Sequence, residues 1–219
     1  MSVTTPPAGT RAPTGRRKGQ TQLEGVVLLG VILAVMWILE AINTIDSNRI
    51  SKSDGIYPRN VDHLWAIFTA PFLHFSFQHL IANTIPFAFM GVIVALQGAK
   101  RLALVTLIVI VVGGIGTWLI APSGTDTAGV SGVIFGYATY LFVRGFFNRS
   151  ALELLTGLVV GAIWGGALVS SIVPHQGVSW QGHVCGAIGG VVAAYMLRRE
   201  RPAKPPPGPT DPLDRALAV

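Results

Sequence analysis

Apolar residues fall along this chain in long runs separated by short polar or basic connections. Six runs approach membrane-spanning length, at about 26–45, 77–96, 102–120, 129–147, 152–173 and 183–199, where a helix needs roughly 17 to 25 residues to cross a bilayer. The first is too long for the apolar core of a signal peptide, and no small-residue cleavage site follows it. The two ends differ from this pattern. Residues 1–20 are rich in Pro, Thr, Gly, Arg and Lys, and residues 201–219 carry Lys204-Pro205-Pro206-Pro207-Gly208-Pro209, so both read as disordered tails. The pattern predicts an all-α membrane protein, with one six-helix domain over residues 21–200 between a basic tail and a Pro-rich one.

One connection is long. About 30 residues, from Asp46 to Ser76, join the first two runs, whereas connections in compact domains have a median of about 4 to 6. Within it, Leu64-Trp65-Ala66-Ile67-Phe68-Thr69-Ala70-Pro71-Phe72-Leu73 is too short and too interrupted by proline to span. It is apolar and aromatic enough to lie partly embedded in the outer membrane interface.

Composition supports the bilayer: 51% of residues are hydrophobic and 12% charged, against about 25% charged in soluble domains. The net charge of +6 does not point to nucleic acid, because the basic residues sit in tails and connections and not on a polar face with interleaved aromatics. They set orientation instead. With the N-terminus inside, Arg11, Arg16, Arg17, Lys18, Lys100, Arg101, Arg144, Arg149, Arg198, Arg199, Arg201, Lys204 and Arg215 are cytoplasmic, and only Arg49, Lys52 and Arg59 are external. Basic flanks are retained in the cytoplasm, and an even number of spans returns the C-terminus to the same side. The expected location is the plasma membrane, with an organellar presequence in the Arg-rich first 20 residues as the alternative. The single cysteine, Cys185, excludes an intramolecular disulfide and reads as a packed thiol.

Polar groups inside membrane spans are costly and tend to be functional. His79 and Asn83 lie four apart, on one face of the second span. Ser131 opens the fourth in Gly129-Val130-Ser131-Gly132, and His183 opens the sixth in Gln181-Gly182-His183. Spans two, four and six all start at the external face, so His79, Ser131 and His183 share one depth, with Asn83 about 6 Å deeper. A serine hydroxyl needs a base to become a nucleophile, and histidine is the usual one. The predicted Ser131–His183 separation is therefore roughly 2.6 to 3.2 Å. The Ser131 N–H with the side chains of His79 and Asn83 can serve a developing oxyanion. Gly132 and Gly136 on span four, and Gly186 and Gly190 on span six, form small-xxx-small pairs that let those helices approach closely.

These residues resemble the rhomboid family in Gly129-x-Ser131-Gly132, in His74-x4-His79-x3-Asn83 and in His183-x2-Gly186-x3-Gly190, in that order along the chain. The resemblance covers about residues 21–200 and implies an intramembrane serine endopeptidase. It assigns Ser131 as nucleophile, His183 as base without a third acidic member, and His79 and Asn83 as oxyanion donors. The implied substrates are single-pass transmembrane proteins, met within membrane lipid and cleaved without a metal or organic cofactor. Two departures stand out. Phe135 occupies the place of a tyrosine that stacks on the histidine in many relatives, and the Trp-Arg pair of the first loop is not evident.

Less specific readings apply elsewhere. His74 precedes its span and reads as structural, while His63 and His175 read as solvated loop residues. Glu40, Asp126 and Glu153 lie near span ends or in loops and read as snorkelling or solvent-facing. Trp118, Trp164 and Trp180 read as packing or interface aromatics. A zinc protease would need His-Glu-x-x-His, which does not occur, and an aspartyl protease would need two acidic residues within spans. The competing functions are a catalytically silent rhomboid-like protein that binds transmembrane helices, and a transporter using the histidines as a proton relay. The intact serine and histidine oppose the first; the lack of an intramembrane acidic partner and of an inverted repeat opposes the second.

Overall fold

The structure, a computed structural model, describes residues 14–174 and 177–199. His175, the Pro-rich tail and most of the basic tail lie outside the described residues. Helix α1 runs Thr14–Ile45 and so begins inside the stretch read as a tail. No proline interrupts the chain between Pro13 and Pro58, so nothing stops the first apolar helix from propagating back through the basic residues.

The long connection folds into short pieces: α2 (Arg49–Ser53), a 3-10 turn at Val61–His63, α3 (Ala66–Thr69) and a second 3-10 turn at Ala70–Phe72. Four long helices then follow the apolar runs, α4 (Phe77–Ala95), α5 (Ala99–Ile120), α6 (Ser131–Asn148) and α7 (Ala151–Ile172), before α8 (Trp180–Met196). Among the described residues, α1, α4, α5 and α7 are long and apolar enough to cross a membrane. Helix α8 has 17 residues, and α6 carries Ser131, Thr139, Arg144 and Asn148 within its 18. The two are the inner helices, shielded by their neighbours, so their sequences tolerate glycine and polar groups that a lipid-facing helix would not. The fold is an all-α, rhomboid-like membrane bundle.

Helix α8 sits between α5 and α6, and glycine makes room on both sides. A Cβ on Gly186 or Gly190 would overlap the carbonyl oxygen of Gly132 or Gly136, respectively, on α6. On the other side, a Cβ on Gly113 of α5 would stand 3.1 Å from Gly186 Cα, and one on Gly189 would stand 3.0 Å from Val109 Cα. Elsewhere the core uses bulk. Tyr137 of α6 is fully buried, stacks on Phe87 of α4 at 5.5 Å and has its hydroxyl 2.5 Å from Thr106 Oγ1 of α5, which satisfies a polar atom that burial would otherwise leave unpaired.

Two acidic residues depart from the expectation of solvent contact. Glu40 is 1% exposed and Glu153 is 7% exposed. Glu40 accepts from Asn43 Nδ2, whose amide also reaches Asn48, Ser51 and the His74 carbonyl, so α1 holds both ends of the long connection through one side chain. Glu153 pairs with Arg199 across the helix ends. Glu153 thus meets a charged partner on another segment, whereas Glu40 has a neutral one on its own helix and its Oε1 has no hydrogen-bond partner; a reading of span ends alone reveals neither.

Candidate active site

Three helix starts converge. Ser131 is the first residue of α6, His79 the third of α4 and His183 the fourth of α8. Serine caps fix two of these starts, Ser76 accepting from His79 N and Ser179 from Gly182 N. The start of α6 differs, because Val130 offers no side-chain cap. Its first N–H groups have no intrahelical acceptor, and Ser131 lines the cavity.

Ser131 Oγ lies 3.0 Å from His183 Nε2, and His183 Nδ1 lies 2.8 Å from the carbonyl oxygen of Ser171 on α7. A carbonyl can only accept, so Nδ1 carries the proton, and the Nε2 lone pair of the neutral ring faces the serine hydroxyl. The Phe135 ring stacks on His183 with centroids 4.3 Å apart and planes inclined by 10°. Ring orientation thus rests on one carbonyl and one aromatic face, with no carboxylate paired to the imidazole among the described residues.

Gly129 has φ +124°, in a region that L side chains rarely adopt. A Cβ there would meet His79 Cε1 at 2.9 Å and lie 3.7 Å from Asn83 Nδ2. The backbone leading into Ser131 is therefore laid directly against the two side chains of α4. Asn83 is 8% exposed and its Nδ2 has no hydrogen-bond partner, a donor left open next to the serine. The His79 ring is held edge-on by His74 at 5.1 Å and face-on by Phe75 at 6.4 Å. Burial, followed by the charge of His79, holds the His74 imidazole down at about 3; it is a neutral packing element.

A cavity of about 1390 Å³ contains these groups, with Ser131, His79, Asn83, Trp164 and His183 among its walls. Gly132, Gly136, Gly186 and Gly190 lie behind them at the α6–α8 crossing, so all ten residues singled out in the sequence fall in or directly behind one site. Cys185 is buried against Gly116. Among the described residues no group of three His, Cys, Asp or Glu is arranged to hold a metal ion.

Sequence reasoning missed two contributors. Ser171 acts through its backbone carbonyl, which carries no sequence signature. Arg59 anchors the long first connection: its guanidinium donates to the carbonyls of Leu119 and Ala121 at 2.9 Å each and to Ser123 Oγ at 2.5 Å. Trp118 Nε1 returns a bond to the Asn60 carbonyl at 3.0 Å, and Ile56 bridges Thr127. Together they tie the first connection to the segment leading into Ser131, in the absence of a Trp-Arg pair. His63 belongs to the same loop packing, not to bulk solvent, with its ring 5.5 Å from Tyr57 and 5.7 Å from Trp65. Arg59→Ala should lower thermal stability in detergent by about 1 to 2 kcal/mol, the scale of hydrogen bonds to a charged group discounted for its exposure. Arg59→Lys should fall between, since a point charge cannot serve three acceptors in a fork.

A Rhomboid domain family model matches residues 61–200. An uncharacterised protein of Mycobacterium tuberculosis is 39% identical over 207 residues, covering 90% of this chain and 85% of its own length. The putative rhomboid protease YdcA of Bacillus subtilis is 28% identical over 187 residues, covering 80% of this chain and 89% of its own. The rhomboid protease GlpG of Salmonella paratyphi A is 29% identical over 138 residues, covering 61% of this chain and 48% of its own. The apolar helices and these likenesses support a multi-pass membrane protein of the protease class. The chain belongs to the rhomboid family, and that membership supports an intramembrane protease.

Proposed function

We propose that this chain is a serine endopeptidase that cleaves transmembrane segments of single-pass membrane proteins by a Ser131–His183 dyad. The observation that carries the reading is the 3.0 Å approach of Ser131 Oγ to a His183 Nε2 left unprotonated by the Nδ1 contact to Ser171. His183 takes the hydroxyl proton as Oγ attacks the scissile carbonyl carbon. The carbonyl oxygen becomes an oxyanion facing the Ser131 N–H, His79 and Asn83 Nδ2. His183 then gives its proton to the leaving amine, the C–N bond breaks, and an acyl-enzyme remains. Water deprotonated by His183 attacks the ester, releasing the acid and restoring the serine. No cofactor enters any step.

In this reading all six long helices span the plasma membrane, with both termini cytoplasmic and the dyad near the external face. Water reaches it from that side, and the apolar part of the first connection lies in the outer lipid interface. Substrates carry small or helix-weakening residues near their outer ends, because a regular helix hides its carbonyls in its own hydrogen bonds. The test is cleavage of a panel of single-pass membrane proteins in proteoliposomes by the wild type and by Ser131→Ala. Products formed only by the wild type support the proposal; binding without cleavage by the wild type would favour the silent helix-binding protein.

Asn83→Ala should lower turnover by about 10- to 100-fold, somewhat less than the 10²- to 10³-fold typical of losing one oxyanion donor, because His79 and the backbone share the task. Its melting temperature should stay near that of the wild type, since Asn83 Nδ2 has no hydrogen-bond partner in the protein to lose. Unchanged turnover would assign Asn83 to packing.

A further inference from the structure

A second polar cavity, of about 540 Å³, lies at the end of the bundle opposite Ser131, with Gln97, Arg101, Tyr140, Arg144, Glu153 and Arg199 among its walls. Arg144 follows Ser131 by 13 positions on α6, a separation of about 20 Å along a helix. The cavity plays no part in the proposed proteolysis. It holds three guanidinium groups and one carboxylate, and that carboxylate is already engaged. Glu153 accepts from Asn148 Nδ2 at 2.7 Å and from Arg199 Nη2 at 3.1 Å. Arg144 Nε forms a long ion pair with the same shared carboxylate at 3.8 Å, beyond hydrogen-bond reach, and has no hydrogen-bond partner although the residue is only 8% exposed. Its guanidinium carbon lies 5.7 Å from the centre of the Tyr140 ring. Arg101 on the facing helix donates to the Leu197 carbonyl, which is not an anion.

A buried cation with unused donors is costly unless an anion meets it. A guanidinium offers paired N–H groups in a planar fork, and phosphate oxygens match that fork. The site lies at the helix ends, the depth at which lipid phosphates gather and at which basic clusters recognise acidic headgroups. We propose that this cavity binds a phosphate-bearing anion, held mainly by Arg144 with Arg101 and Arg199, and that the phosphate is that of an acidic phospholipid headgroup.

The experiment uses the full chain in detergent and titrates it with phosphatidylglycerol, phosphatidylcholine or inorganic phosphate, reading bound adducts by native mass spectrometry and melting temperature in parallel. Two variants are compared with the wild type. Arg144→Gln combined with Glu153→Gln removes one charge of each sign; Thr156→Trp fills the cavity rim and leaves every charge in place. Saturable phosphatidylglycerol binding, at least tenfold tighter than that of phosphatidylcholine and at least tenfold weaker in both variants, is the expected result. Saturable binding of inorganic phosphate that both variants lose, without lipid preference, would uphold the anion site and overturn the lipid source. Equal binding by the wild type and Thr156→Trp, or no binding of any of the three probes, would overturn the site, whether or not the charge variant folds.

Discussion

Ser131→Ala and His183→Ala are each expected to lower cleavage by about four orders of magnitude or more, and the double variant should fall little further. The reason is geometric. The hydroxyl is a poor nucleophile until its proton has somewhere to go, and the acceptor within reach among the described residues is His183 Nε2 at 3.0 Å. Removing the base strands the nucleophile and removing the nucleophile idles the base, so the two losses are one loss counted twice. Residual activity would come from substrate binding and oxyanion donors alone. Initial rates on one membrane substrate, compared across the two single variants and the double, measure this. Multiplicative losses would mean that the two residues act in separate steps.

Gly186→Leu should be the most damaging change outside the dyad. His183 reaches Ser131 only because α6 and α8 nearly touch, and even a Cβ on Gly186 would overlap the Gly132 carbonyl. On its other side the same glycine faces Gly113 of α5, so α8 has no room to retreat. A leucine must push the backbones apart at the level of the reacting atoms, where a displacement near 1 Å can cost about 100-fold in rate. Gly186→Ala should cost less, and Gly161→Leu on α7 should be mild, because the nearest atoms to a Cβ there are on Phe142 at 4.0 Å. Rates and melting temperatures of the three variants separate the cases. Equal tolerance of leucine at Gly186 and Gly161 would remove the geometric basis of the dyad.

Much of this arrangement was legible in the sequence, because membrane burial makes polar residues conspicuous. Ser131, His183, His79 and Asn83 stood out as polar groups in apolar runs, and shared depth drew them together before any contact was known. The glycines on α6 and α8 followed from small-residue spacing. What stayed hidden depends on the backbone or on distant partners. The Ser171 carbonyl that fixes the His183 tautomer has no side-chain signal. The contribution of Gly113 required knowing that α5 flanks α8. Arg59 looked like an external charge, because its three acceptors lie about 60 positions away along the chain. Glu40 and Glu153 lie near span ends and read as snorkelling or solvent-facing, yet both are buried, Glu40 beside Asn43 of its own helix and Glu153 against Arg199. Composition marks residues 1–20 as a tail, whereas α1 runs from Thr14, a helix needing only the absence of proline to extend into the basic stretch.

The most direct test of an activated serine at this site is covalent labelling of the wild-type protein in membranes with a fluorophosphonate, followed by mass-spectrometric mapping of the adduct. The phosphonate phosphorus takes the place of the scissile carbonyl carbon, fluoride leaves, and the bond forms only with a hydroxyl whose proton can be removed. The account predicts a single adduct on Ser131, formed readily in the wild type and in Cys185→Ala, and abolished in His183→Ala. No adduct on Ser131, or labelling that persists without His183, would contradict it.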